Sequence, residues 1–197
     1  SYRGHPGFDP VAQHVVDNSL RRQFRTFAGR IDPQSGQYSG KILGDEGDRI
    51  ANDFLMGMLR MRRGSDGMLC EEEKDNLRRL DAERVWIIDP LDGTREFSEG
   101  RGDWAVHVAL AVKGEPVVGA VALPGLGLLL RSDLPIWVPP APERLRMVVS
   151  RSRPAAEAMA VASALDAEVI PMGSAGAKAM AVVRGEADIY LHSGGQF

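Results

Sequence analysis

Three apolar segments follow one another closely in the middle of the chain, and they restrict the fold more than any other feature. They cover residues 103–112, 115–124 and 125–132. Partly alternating apolar residues bounded by glycine and proline are typical of β-strands. Parallel neighbours need a long crossover, whereas a short turn joins antiparallel ones. The short connections therefore predict an antiparallel meander.

The segments before this meander predict two helices and two further strands. Apolar residues recur at helical spacing over 9–28 and 48–63. The residues between them, 34–47, are rich in glycine and serine and indicate a loop or a short hairpin. Strands are predicted over 68–70 and 83–90. We expect the paired helices to cover an antiparallel sheet.

The pattern changes after a proline-rich segment at 133–144, which we interpret as an interdomain linker. Beyond it, strands and helices alternate, and this alternation predicts an α/β layer. The strands are expected over 145–150, 167–172 and 187–192, and the helices over 154–165 and 174–185. We therefore predict a layered sandwich of α+β and α/β character. Its domains would be an N-terminal α+β domain over 1–138 and a partial α/β domain over 144–197.

Composition excludes several classes of partner. The formal net charge is −3, and binding to a phosphate backbone needs a basic face. No run approaches the roughly 18 apolar residues of a membrane span, and the N-terminus lacks the layout of a signal peptide. The single cysteine, Cys70, agrees with a reducing compartment and is expected to be a small buried thiol. We expect a cytoplasmic protein with no nucleic-acid or membrane partner.

The sequence WIIDPLDGT, residues 86–94, places Asp89 and Asp92 at the end of an apolar strand. Proline and glycine permit a tight turn there, which can hold both carboxylates on one side together with the Leu91 carbonyl. Hard oxygen ligands of this kind suit Mg²⁺. Glu71, after the neighbouring strand, would add enough carboxylate for two ions. The alternative is an ordinary strand-ending turn, because Asp-Pro and Asp-Gly are common turn dipeptides.

These residues also resemble a known family. WIIDPLDGT and the upstream LCEEE resemble the signature of the inositol monophosphatase superfamily, the lithium-sensitive, Mg²⁺-dependent phosphatases of small phosphorylated metabolites. The resemblance runs from about Leu43 to Phe197. Within the superfamily, TREF, WAVHVAL and GSAGAKAM resemble the CysQ branch of actinobacteria. Those enzymes are 3'(2'),5'-bisphosphate nucleotidases, which remove the 3'-phosphate of 3'-phosphoadenosine 5'-phosphate during sulfate assimilation.

The resemblance implies a role for several residues of this chain. It implies two or three Mg²⁺ ions in a complete site and a small phosphorylated metabolite as partner, and it leaves a homodimer open. Some residues also have a simpler interpretation. Asp48 could be a helix N-cap, and the residues around Lys178 could simply pack a helix on a sheet. We interpret His107 as a core residue and not as a ligand. The implied metal ligands are Glu71, Asp89, the Leu91 carbonyl and Asp92, the catalytic residues are Asp48, Thr94 and Glu71, and the substrate contacts are Gly93, Thr94, Gly173, Ser174, Lys178 and His192.

One departure from the family pattern affects the function expected. The family has a Trp-Asp pair shortly after the region that matches HSGGQF, and none follows here. We interpret the chain either as a fragment truncated at its C-terminus or as a naturally short relative, with an incomplete second domain and weakened activity. Three functions stay open: the nucleotidase, a phosphatase of inositol monophosphate or another small sugar phosphate, and a non-catalytic domain that binds metal or nucleotide.

Overall fold

The computed structural model describes residues 41–192, so the helix predicted over 9–28 lies outside the described residues. Short 3₁₀ helices occupy Arg78–Asp81 and Pro124–Leu126. The chain divides between Leu134 and Pro135 into two compact units. The helices are α1 (Lys41–Arg63), α2 (Thr94–Ser98), α3 (Ala156–Ala164) and α4 (Ala175–Val183), and the strands are β1 (Gly67–Cys70), β2 (Arg84–Asp92), β3 (Ala105–Val112), β4 (Glu115–Leu123), β5 (Leu128–Arg131), β6 (Arg146–Ser150), β7 (Glu168–Met172) and β8 (Ile189–Tyr190).

The first unit contains a five-stranded sheet in the order β1-β2-β3-β4-β5. Strands β2 to β5 are antiparallel neighbours, so the predicted meander is confirmed. The expectation of a wholly antiparallel sheet was wrong, because β1 pairs with β2 in parallel. The connection over residues 71–83 is long enough for this crossover. As a result, β1 and β2 end at the same edge of the sheet.

Helix α1 covers Lys41–Arg63, so the loop or hairpin predicted over 34–47 was wrong for residues 41–47. Two glycines in this segment permit close packing and do not form turns. A Cβ atom on Gly44 would lie 2.7 Å from Cγ2 of Thr94, and one on Gly47 would lie 2.5 Å from Cε1 of Phe97. Since real Cβ atoms do not approach so closely, only glycine lets α1 lie against α2.

The core of the first unit lies between α1 and one face of the sheet. Leu55 and Leu59 of α1 belong to the same buried cluster as Trp86, Ile88 and Leu110 of the sheet. Close packing of this kind orders both partners. It holds α1 against the sheet, and Gly47 of α1 lies next to Leu91 at the end of β2, where the candidate site lies.

The second unit contains a three-stranded parallel sheet in the order β7-β6-β8. Helix α3 contributes Ala158 and Ala162 to a core with Met147 and Val149 of β6, and Ala181 of α4 packs with Val148 in a second cluster. The predicted alternation of strands and helices is confirmed, and the fold is a layered α/β fold. Across 41–192, no helix is both long and apolar enough to cross a membrane.

Candidate metal and catalytic site

The irregular turn at the end of β2 brings two carboxylates to one face of the sheet. Residues three apart in a regular strand point to opposite faces. Here a bulge intervenes, because Asp89 pairs with His107 and Asp92 with Ala105. The step of three residues from Asp89 to Asp92 on β2 is therefore matched by a step of only two residues, from His107 to Ala105, on β3. The extra residue turns Asp92 to the same face as Asp89.

Gly93 ends this turn in the left-handed conformation, with φ +97°, which glycine adopts without strain. Helix α2 begins at the next residue, and the Phe97 amide donates to the Gly93 carbonyl at 2.9 Å. A short helix thus follows the acidic turn directly. The reversal aims Thr94 back toward α1.

Asp89, Asp92 and His107 form a cluster whose ligand atoms all lie within 4.8 Å of one another. His107 Nε2 lies 3.2 Å from Oδ2 of Asp92. The Leu91 amide donates to Oδ1 of Asp89 at 3.1 Å. Two carboxylates and an imidazole at this spacing fit a divalent cation. The sequence interpretation of His107 as core missed this contact, because its pairing with Asp89 is a matter of strand register that no local sequence pattern shows.

Glu71 lies beside this cluster. It follows β1 directly, and the pairing of Cys70 with Ile88 places it next to Asp89. Its amide donates to the Ile88 carbonyl at 3.2 Å, and the residue is exposed. The parallel pairing of β1 and β2 is what brings the two acidic strand ends together.

Asp48 lies in the interior of α1, so its interpretation as an N-cap was wrong. Thr94 Oγ lies 3.0 Å from Oδ2 of Asp48 and 3.3 Å from the Leu91 carbonyl. The hydroxyl carries one proton, and the carboxylate is the nearer and more strongly attracting acceptor. This pair joins two segments that are 46 residues apart in the chain.

Burial and mutual repulsion perturb the protonation of the site. Burial raises the pKa of Asp48 to about 7, with Glu72, Asp89 and Glu71 adding repulsion and the Thr94 hydrogen bond opposing it. Burial, followed by the charges of Asp92 and Glu71, raises the pKa of Asp89 to about 7. The site therefore has an excess of negative charge, which a bound cation would relieve.

The same acidic residues also affect the protonation of His107, where they favour the charged form of the imidazole. Burial by itself would lower the pKa of its imidazole. The hydrogen bond and charge of Asp92, together with the charges of Asp89 and Glu71, outweigh burial and raise this pKa above its ordinary value. The direction confirms that the surroundings of the imidazole are strongly negative.

The other sequence-predicted contacts lie in the second unit. Ser174 caps α4, and its hydroxyl accepts a hydrogen bond from the Ala177 amide at 2.8 Å. Lys178 is buried, with its ammonium donating to the carbonyls of Gly173 and Ser174 and lying 5.4 Å from the centroid of the Tyr190 ring. These contacts order the start of α4.

His192 follows β8 and is exposed. Its ring centroid lies 6.3 Å from that of Tyr190. The Lys178 ammonium also lies near the Tyr190 ring, at 5.4 Å from its centroid, so Tyr190 is a shared neighbour of the two side chains.

A layered α/β fold with paired carboxylates at a strand end, next to a hydroxyl–carboxylate pair, defines a class of metal-dependent site. The pattern described as the inositol monophosphatase family matches residues 12–134. The chain therefore belongs to the inositol monophosphatase family. The resemblance seen in the sequence was expected to begin at about Leu43. The family match begins at residue 12, so this expected N-terminal limit was wrong.

Individual relatives agree with the family assignment. The chain is 49% identical over 165 residues to the 3'-phosphoadenosine 5'-phosphate phosphatase of Mycobacterium bovis, covering 79% of this chain and 62% of that protein. It is 44% identical to the protein of the same name from Mycobacterium leprae, covering 93% and 74%. The chain thus spans 62% of the length of the M. bovis relative.

The solved structures support the fold. Inositol monophosphatase II of Staphylococcus aureus MSSA476 superposes with a TM-score of 0.71 at 17% identity. The superposition covers 93% of this chain and 74% of the other. The layered architecture is therefore shared although few residues are identical.

Proposed function

We propose that this protein is a Mg²⁺-dependent phosphatase that hydrolyses the 3'-phosphate of 3'-phosphoadenosine 5'-phosphate to AMP and phosphate. The observation that carries the proposal is the position of the Thr94–Asp48 pair, 3.0 Å from oxygen to oxygen, directly after the strand end that holds Asp89 and Asp92. The names of the mycobacterial relatives support the choice of nucleotide. Conversion of inositol monophosphate is the second candidate, supported by the family assignment.

The donor set suits a hard divalent cation. Asp89 and Asp92 would hold it, with the Leu91 carbonyl and Glu71 as the further proposed ligands. Carboxylate and carbonyl oxygens favour Mg²⁺, and a complete site of this family is proposed to hold two or three ions. When bound, Mg²⁺ supplies Lewis-acid stabilisation of the charge that develops on the phosphoryl oxygens.

The residues of the chain would move the proton. Thr94 directs its own proton toward Oδ2 of Asp48, so a lone pair of its oxygen can accept a proton from the attacking water. The Thr94 proton then passes to Asp48. A pKa of about 7 suits this task, because a general base is most effective near the working pH. Gly93, Thr94, Gly173, Ser174, Lys178 and His192 remain the proposed substrate contacts.

The test compares phosphate release by Thr94→Val and Thr94→Ser. Valine keeps the volume but removes the hydroxyl, whereas serine retains it. We expect Thr94→Val to lower turnover of 3'-phosphoadenosine 5'-phosphate by roughly 10²- to 10⁴-fold, as for loss of acid–base catalysis, and Thr94→Ser to retain most activity. Equal rates for the two variants would contradict the proton path.

Substrate class is tested on the same preparations. We expect the wild-type protein to release phosphate from 3'-phosphoadenosine 5'-phosphate faster than from inositol 1-phosphate, and only with Mg²⁺ present. The opposite preference would favour the second candidate. Binding of nucleotide and Mg²⁺ without any release would indicate the non-catalytic domain.

A further inference from the structure

We propose that His107 is a positioning residue of the cation site, holding the Asp92 carboxylate in the orientation that receives the cation. The inference rests on the proposed function, since it concerns the same metal site. It assigns His107 a hydrogen bond from Nε2–H to Oδ2 of Asp92, a contact of 3.2 Å.

The position of His107 in the sheet makes this role specific. It lies on β3 directly opposite Asp89, while its ring reaches Asp92 on the other side of the bulge. One side chain therefore spans both ends of the irregular segment. Its side chain is 30% exposed and that of Asp92 is 17% exposed, so the contact is shielded enough for a hydrogen bond to fix geometry.

The bulge explains why Asp92 needs such support. The pairing of β2 with β3 is regular from Arg84 to Asp89, but its register shifts before it resumes at Asp92, which pairs with Ala105. The Asp92 side chain therefore follows an irregular segment, whereas that of Asp89 continues the regular ladder. Two other carboxylates of the site, those of Asp89 and Asp48, each accept a hydrogen bond from a neighbouring residue. Asp89 accepts from the Leu91 amide at 3.1 Å, and Asp48 accepts from Thr94 at 3.0 Å. His107 completes this pattern at Asp92.

Hydrogen bonds to metal-binding side chains hold the ligand before the ion arrives, and their loss typically weakens metal binding 10- to 100-fold. A core residue would not have this effect. Direct coordination by His107 is a different role, and it would favour transition metals over Mg²⁺, because imidazole is a better ligand for them. The choice of metal ion therefore separates positioning from coordination.

The experiment uses His107→Gln and His107→Met, two side chains of equal length. The glutamine amide can place a donor near the position of Nε2, whereas methionine offers none. Mg²⁺ affinity is measured by calorimetry on the full chain at one pH, and thermal unfolding in chelator checks the fold. We expect about 10- to 100-fold weaker Mg²⁺ binding for methionine, with glutamine remaining close to wild type.

Three results would overturn the inference. They are unchanged Mg²⁺ affinity in His107→Met, an equal loss in both variants, and a loss for Mn²⁺ and Zn²⁺ much larger than for Mg²⁺. Should His107→Met fail to fold, His107→Leu serves as the variant without a donor. A wild-type chain that binds no Mg²⁺ would instead refute the metal site of the proposed function, so the two failures are distinguishable.

Discussion

Replacing Asp89 by asparagine should stabilise the protein when no metal ion is present, and the gain should grow as the pH rises from 3.8 toward 7. The pKa of Asp89 is about 7, against an ordinary value of 3.8. A raised pKa means that the folded protein binds the proton more tightly than the unfolded chain. The stability from that proton is fully present below pH 3.8, and it is lost as pH rises through 7.

The magnitude follows from this pKa difference. Each pKa unit corresponds to about 1.36 kcal/mol, which gives about 4 kcal/mol for a fully desolvated carboxyl group. Asp89 is only half-buried, so solvent screening reduces this, and we expect about 2 kcal/mol. Asparagine retains the oxygen that accepts the Leu91 amide hydrogen bond. The variant therefore removes the charge and leaves the turn intact.

The assay is urea unfolding in chelator at pH 8 and pH 5, followed by tryptophan fluorescence. Trp86 and Trp104 are 2% and 4% exposed in the first unit, so their emission reports on the unit that holds Asp89. We expect a higher free energy of unfolding for Asp89→Asn at pH 8 and a much smaller gain at pH 5. Added Mg²⁺ should stabilise wild type and not the variant.

One result would refute the reasoning. If Asp89→Asn lost several kcal/mol in chelator at both pH values, the carboxylate would belong to a buried structural network. Asp89 would then hold the strand end together, and the repulsion inferred from its surroundings would not govern the site.

Three further predictions concern the same unit. Asp92→Asn should abolish Mg²⁺-dependent phosphate release because it removes a proposed ligand, while circular dichroism shows an unchanged fold. Retained phosphate release would contradict the role of Asp92 as a metal ligand. Mg²⁺ affinity measured by calorimetry should rise with pH and level off above about 7, because Asp89 must lose its proton to bind a cation. An affinity that does not change with pH would contradict this prediction. Gly47→Ala should destabilise by roughly 1 to 3 kcal/mol through overpacking against Phe97. Gly57→Ala is the control, because a Cβ there meets nothing within 4 Å, and it should stabilise the protein by about 1 kcal/mol. If thermal unfolding showed equal effects for the two variants, close packing at Gly47 would be contradicted.

Much of the fold follows from local patterns. The meander is predictable because short turns join only antiparallel neighbours, and the second unit because strands and helices alternate regularly. The helical conformation of residues 41–47 was not predictable. Gly44 and Gly47 are weak helix formers, and their local preference suggests a turn. Their close packing against α2 outweighs that preference, and such packing is absent from any local window of sequence.

The site divides in the same way. Asp89, Leu91 and Asp92 lie within one turn, so their spacing made a cation site one of two interpretations, beside an ordinary strand-ending turn. The approach of Thr94 to Asp48 came from the family resemblance, because 46 residues separate them. His107 was assigned to the core from its alternation within β3, which says nothing about the strand opposite.

Local sequence patterns are sufficient to predict the meander, the alternating second unit and the turn that groups the acidic residues. Those features depend on neighbours in the chain, where backbone preferences and apolar periodicity act directly. The parallel pairing of β1, the bulge that turns Asp92 to the face of Asp89, and the contact with His107 became visible only in the folded structure. They depend on which residues of two strands lie opposite each other, and such pairing joins segments that are distant in the chain.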